Sequence, residues 1–130
     1  MDKNKKIFLI EDDLNIVEIY SEAFKAAGID FEVIGLGREA IKKIKAVAED
    51  GKDKPNIVLI DLILPDINGI EILKEIKNNE NTKDIRVFIL SNYSDADFLK
   101  AEKIKAEKFI LKADIKPTQL AELIKKELKK

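Results

Sequence analysis

The 130-residue chain contains no cysteine, no histidine and no tryptophan. Without cysteine there is no disulfide framework, thiolate nucleophile, zinc ribbon or iron–sulfur site, and this usage leans toward the cytosol. Without histidine there is no Ser-His-Asp triad, imidazole metal ligand or phosphohistidine. Any metal must be held by oxygen, which favours hard cations such as Mg2+ or Ca2+ over Zn2+ or Cu2+. No apolar run approaches the length of a membrane span, and Ile7 to Ile10, behind Lys3, Lys5 and Lys6, is too short for a signal-peptide core. A cytoplasmic protein without membrane or nucleic-acid contact is expected. Charge supports this: 24 Lys+Arg against 25 Asp+Glu gives a net charge of −1, although Lys outnumbers acid from Ser94 to Lys130.

What remains is carboxylates, hydroxyls, amines and a 45% apolar fraction, enough for one core. The length fits one domain over 1–130. Short apolar runs recur at Ile7–Ile10, Phe31–Ile34, Ile57–Ile60, Val87–Leu90 and Phe109–Leu111. Several are apolar at every position, the mark of strands buried on both faces in a parallel sheet. Between them apolar residues recur every three or four positions, predicting helices at about Leu14–Ala27, Arg38–Asp50, Gly69–Asn78 and Asp95–Lys105, and a last one from Pro117. Gly28 and Gly51 stand as helix stops. Five strands alternating with five helices predict one α/β sandwich.

In a parallel sheet the residues just past each strand's carboxyl end gather on one edge. Here they are Glu11-Asp12-Asp13, Asp61, Ser91 and Lys112. In the flavodoxin-like order 2-1-3-4-5 the contributing strands are neighbours, so these groups meet in a shallow pocket. Several carboxylates together repel, and one lysine does not neutralise them; either their pKa values rise or a cation sits among them, with Mg2+ the natural guest. Asp61, anchored by a buried strand, can then act as a nucleophile toward a phosphoryl donor, forming an acyl phosphate. Ser91 would hydrogen-bond a phosphoryl oxygen and Lys112 would pair with it.

Each residue also has a plainer role. Glu11 to Asp13 fits a helix cap with first-turn charge, Asp61 a turn, Ser91 a cap, Lys112 a solvated charge and Phe109 ordinary core. The joint pattern, each group at the correct end of the correct strand, favours chemistry.

Ile7-Phe8-Leu9-Ile10-Glu11-Asp12-Asp13, Ile57 through Asp61 to Gly69, Leu90-Ser91 and Phe109-Ile110-Leu111-Lys112 together resemble the receiver domain of two-component response regulators over essentially the whole chain. The resemblance implies a flavodoxin-like three-layer sandwich with Asp61 as phosphoacceptor. Glu11 and Asp12 would be the acidic pair at a Mg2+ site, and the Ile63 carbonyl a further ligand. Ser91 would be the switch hydroxyl, Phe109 the switch aromatic and Lys112 the phosphate-pairing lysine. Asp13 aligns less well with the acidic pair. Pro65 would restrict the loop after Asp61, and Gly69 would permit backbone geometry that a side chain would hinder.

Four positions depart from the family pattern. Ala113 follows Lys112 where proline is usual, Asn92 follows Ser91 where a small residue is common, Lys105-Ala106 replaces Gly-Ala, and Lys116 stands at a cap position. The expected partners are a histidine kinase or histidine phosphotransfer protein, and a downstream protein reading the surface of the fourth helix, fifth strand and fifth helix. With the last predicted helix reaching Lys130, the receiver is expected to stand alone and to catalyse only its own phosphorylation and dephosphorylation. Ile63 and Tyr93, bulky and without a water-orienting group, predict slow self-dephosphorylation. The alternative is a receiver-like scaffold that signals by binding alone; a flavodoxin is disfavoured because Glu11-Asp12-Asp13 would repel a phosphate.

Overall fold

The computed structural model describes residues 5–92 and 106–130. Five parallel strands, β1 (Lys6–Ile10), β2 (Asp30–Ile34), β3 (Ile57–Asp61), β4 (Arg86–Ser91) and β5 (Lys108–Leu111), form one sheet in the order β2-β1-β3-β4-β5. The described residues hold four α-helices: α1 (Leu14–Ala26), α2 (Gly37–Asp50), α3 (Gly69–Lys77) and α4 (Pro117–Leu128). The helix expected at Asp95–Lys105 lies outside the described residues, as do Tyr93 and Lys105.

Strand alternation builds two separate cores. Phe8, Ile10, Val58, Ile60, Val87 and Ile89 face α2 and α3, where they meet Ala40, Ile44, Ile72, Leu73 and Ile76. Their chain neighbours Ile7, Leu9, Ile57, Leu59, Phe88 and Leu90 face α1 and α4, against Tyr20, Phe24, Leu120, Ala121 and Ile124. The central strands are thus apolar at every position because both faces are covered. Each such side chain contributes roughly 1.5–3 kcal/mol on burial. The edge strands β2 and β5 are only half-buried, which is why Glu32 and Lys108 are accommodated there.

Local signals set the helix ends. Asp13 caps α1, its Oδ1 accepting from Asn15 N at 2.9 Å and Ile16 N at 3.3 Å. Gly28 and Gly51 follow α1 and α2 with φ of 74° and 71°, the left-handed geometry that glycine adopts without penalty. Lys116 offers no side-chain cap to α4, but its N–H donates to Gln119 Oε1 at 2.8 Å, so the helix supplies its own partner. After β5 the chain turns through a 3-10 segment, Lys112–Asp114, with Ala113 at its centre.

At the opposite edge of the sheet Arg86 of β4 ties the residue preceding β5 to α4. Its guanidinium bonds both Glu107 carboxylate oxygens and, on α4, the Glu127 carboxylate and carbonyl. Glu127 is buried and is also met by Lys130 at 3.1 Å. Arg86, Glu127 and Lys130 line a cleft of about 330 Å3 with Lys54 and Asp84, which pair with each other at 2.6 Å.

Candidate functional site at the carboxyl edge of the sheet

Glu11 leaves β1 with its N–H still bonded to Ile34 O of β2 at 3.2 Å, so strand pairing continues one residue past the strand and fixes its Cα. Its side chain is buried. Oε2 accepts from the N–H groups of Asp12 and Asp13 at 3.1 and 3.3 Å, while Oε1 faces Lys112 Nζ at 2.5 Å. Asp61, the last residue of β3, is also buried and lies on the other side of the ammonium, Nζ to Oδ2 3.2 Å. Its Oδ1 accepts from Ile63 N at 3.1 Å. One lysine from the far end of the chain therefore bridges two carboxylates carried on adjacent strands.

Asp12 completes the acidic group. Glu11, Asp12 and Asp61 each offer a carboxylate oxygen within 4.8 Å of the others. Three carboxylates against one ammonium leave a local excess of negative charge, and burial raises its cost. Burial, then the hydrogen bond with Asp61, pushes the Glu11 carboxyl above its ordinary pKa, against the opposing pull of Lys112. For Lys112 burial disfavours the charge, but the hydrogen bond to Glu11 and the charges of Asp61 and Glu11 outweigh it and hold the ammonium above its usual value. The donor set fits a small hard cation: all ligands are oxygen, they converge, and the exposed Asp12 leaves one side open to water.

The remaining predicted residues take defined places. Asp61 pairs in register with Leu90, so Ser91, also buried, sits one residue farther along the neighbouring strand. Phe109 pairs with Ile89 and is half-buried against the α2/α3 core. Ile63 is 55% exposed beside Asp61. Asp13 lies outside the acidic cluster and caps α1 instead. Gly69 has the role expected of it through contact: a Cβ there would lie 2.6 Å from Asp61 O and 2.9 Å from Leu62 Cα. Between α1 and the 3-10 turn runs a mostly apolar groove of about 250 Å3, lined by Ile16, Ile19, Tyr20, Ile115 and Pro117 and reaching Lys112. Asn92 lies at this groove.

Sequence reasoning missed two features of the site. Glu11 is an acceptor for its own loop as well as a partner of Lys112, and Asp66 bonds a helix outside its own loop. An acidic residue after a buried strand is the only local signal for the first; the second depends on positions 29 residues apart and has none.

Comparison with known proteins gives this geometry its context. The family described as response regulator receiver domain matches residues 7–125. Sporulation initiation phosphotransferase F of Bacillus subtilis is 30% identical over 100 residues, 77% of this chain and 74% of that protein. The regulatory protein LuxO of Vibrio cholerae is 28% identical over 105 residues, 80% of this chain but only 21% of that longer protein. Among solved structures, the phosphorylated cyanobacterial phytochrome response regulator RcpA superposes with a TM-score of 0.78 at 28% identity, covering 95% of this chain and 90% of that one. No helix among the described residues is long and apolar enough to cross a membrane. With its parallel sheet, its acidic edge and a family match over nearly its full length, the chain belongs to the response regulator receiver domain family.

Proposed function

We propose that the chain, as one receiver over residues 1–130, accepts a phosphoryl group on Asp61 from the phosphohistidine of a histidine kinase or histidine phosphotransfer protein. An Asp61 carboxylate oxygen attacks phosphorus, the phosphorus–nitrogen bond breaks, and the imidazole leaves with the electron pair and takes up a proton. The product is an acyl phosphate. Glu11, Asp12, Asp61 and the Ile63 carbonyl would hold Mg2+, which when bound offsets charge on the transferring phosphoryl oxygens. Lys112 supplies the other positive charge at a position held by Glu11. The observation that carries this reading is the Lys112 ammonium, 2.5 Å from Glu11 and 3.2 Å from Asp61, in a buried acidic corner.

The protein is then a phosphoacceptor rather than an enzyme with an external substrate, and it would catalyse only its own phosphorylation and dephosphorylation. Ser91 would bond the new phosphoryl oxygens and Phe109 would pack inward, shifting the population between two arrangements of the β5 surface. A downstream partner in the cytoplasm would read the face formed by β5, α4 and the segment Asp95–Lys105, where the sequence pattern places a further helix. Incubation with acetyl phosphate and Mg2+ followed by intact mass measurement tests the reading. A gain of one phosphoryl group, lost in Asp61→Asn, is expected; an unchanged mass would favour a scaffold.

A further inference from the structure

The connection from β3 to α3 is a miniature hairpin. Gly69 N donates to Leu62 O at 2.8 Å, and Ile63 and Asn68 pair as an antiparallel bridge. From its tip Asp66 reaches a different helix. Its Oδ1 accepts from Gly37 N and its Oδ2 from Arg38 N, both at 2.9 Å. One carboxylate thus covers two of the N–H groups that the first turn of α2 leaves without intrahelical partners. Leu36, at the cap position of α2, provides no side-chain bond. Ile67 completes the docking, because a Cβ on Gly37 would lie 2.3 Å from Ile67 Cγ1. Residue 37 is glycine to admit the hairpin, since the positive-φ glycines are Gly28 and Gly51.

The base of the same hairpin holds the proposed phosphoacceptor. Ile63 N donates to Asp61 Oδ1, and Gly69 packs on the Asp61 carbonyl closely enough to exclude a side chain. A loop this short, bridged across its middle and held at both ends, transmits a displacement of its tip to its base.

We infer that Asp66 is a positioning residue for the Asp61 site: by docking the hairpin tip on the N-terminus of α2, it sets the Ile63 backbone and, through the Ile63 N–H, the orientation of the Asp61 carboxylate. The functional consequence rests on the phosphoacceptor reading; the mechanical link does not.

Amide hydrogen exchange on the full chain separates the two. In Asp66→Ala the amides of Gly37, Arg38 and Ile63 all exchange about fivefold to tenfold faster, as loss of a cap implies, and Asp66→Asn, with one acceptor oxygen left, lies between. Faster exchange at Gly37 and Arg38 with Ile63 unchanged would overturn the inference. With acetyl phosphate, the phosphorylation rate of Asp66→Ala falls about tenfold at limiting Mg2+ and recovers to within about twofold at saturating Mg2+, because the oxygen set is misplaced rather than removed. A wild-type Mg2+ dependence would also overturn it. Should Asp66→Ala fail to fold, Gly37→Ala displaces the tip from the other side; Ile63 exchange then rises and returns to normal in Gly37→Ala/Ile67→Ala. Absence of that rescue counts against the link. An unaltered chain that takes no phosphoryl group would defeat the receiver mechanism while leaving the exchange result to judge the hairpin.

Discussion

Lys112 Nζ stands 2.5 Å from Glu11 Oε1, at a sequence separation of 101, and this contact is shorter than the 3.2 Å contact of the same ammonium with Asp61. Glu11 therefore aims the lysine and Asp61 receives it. Replacing the ammonium by an apolar group of similar length, Lys112→Met, leaves Glu11, Asp12 and Asp61 facing one another. Mg2+ should then bind more tightly in calorimetric titration, since a competing cation is gone. The rate of acyl phosphate formation should nevertheless fall roughly 10²-fold, the usual loss when a preorganised charge partner is removed from a reacting centre. An unchanged rate would take Lys112 out of the chemistry.

Gly69→Ala tests the packing beneath the site. The added Cβ has backbone on two sides, Asp61 O at 2.6 Å and Leu62 Cα at 2.9 Å, and no flexible side-chain end to push aside except Ile60 Cγ2. Urea unfolding should show a loss of about 1–3 kcal/mol despite alanine's better helix propensity, because overpacking outweighs that gain. A stability equal to or above the wild type would mean that the loop yields freely.

The charge cluster around Arg86 makes acid stability predictable in sign. The Arg86 guanidinium holds the carboxyl of Glu107 below its ordinary value, and Arg86 with Lys130 does the same for Glu127. A carboxyl depressed in the folded state binds fewer protons there than in the unfolded chain. Its stabilisation is present above the ordinary value of 4.5 and is lost as pH falls through the folded value. Unfolding free energy should drop as pH falls below about 4.5, and the drop should be shallower in Arg86→Met. The same acid limb in both proteins would show that the ion pairs are screened out.

Much of this architecture was legible in the chain itself. The runs Ile7–Ile10, Ile57–Ile60 and Val87–Leu90 are apolar at each position because both faces of a central strand are covered, and that requirement is written locally. Asp13, Gly28 and Gly51 terminate helices by interactions within a few residues, so they too could be read. The convergence of Glu11, Asp61 and Lys112 followed from strand direction together with the expected strand order. What could not be read were contacts that the fold creates between distant positions: Asp66 on Gly37 and Arg38, Ile67 over Gly37, and Arg86 on Glu127. Aspartate after proline looks like a turn residue whether or not a helix end waits above it. The half-buried state of β2 and β5 likewise reflects their place at the edges, which composition does not encode.

Ile63 offers a test of the lifetime of the signal. Its side chain is 55% exposed beside Asp61 and carries no group that could orient water. Self-dephosphorylation should be slow, and Ile63→Glu should accelerate it by about tenfold or more by placing a carboxylate where an attacking water would approach. Loss of the acyl phosphate followed over time by intact mass checks this; equal lifetimes would place the water path elsewhere.

The identity of the phosphoacceptor is best tested by mapping it. After reaction with acetyl phosphate and Mg2+, reduction of the acyl phosphate with borohydride and peptide mass spectrometry should mark residue 61 alone, and Asp61→Asn should carry no mark. A mark on Asp12 or Asp13 with Asp61 untouched, or no mark in the unaltered chain, would contradict the assignment.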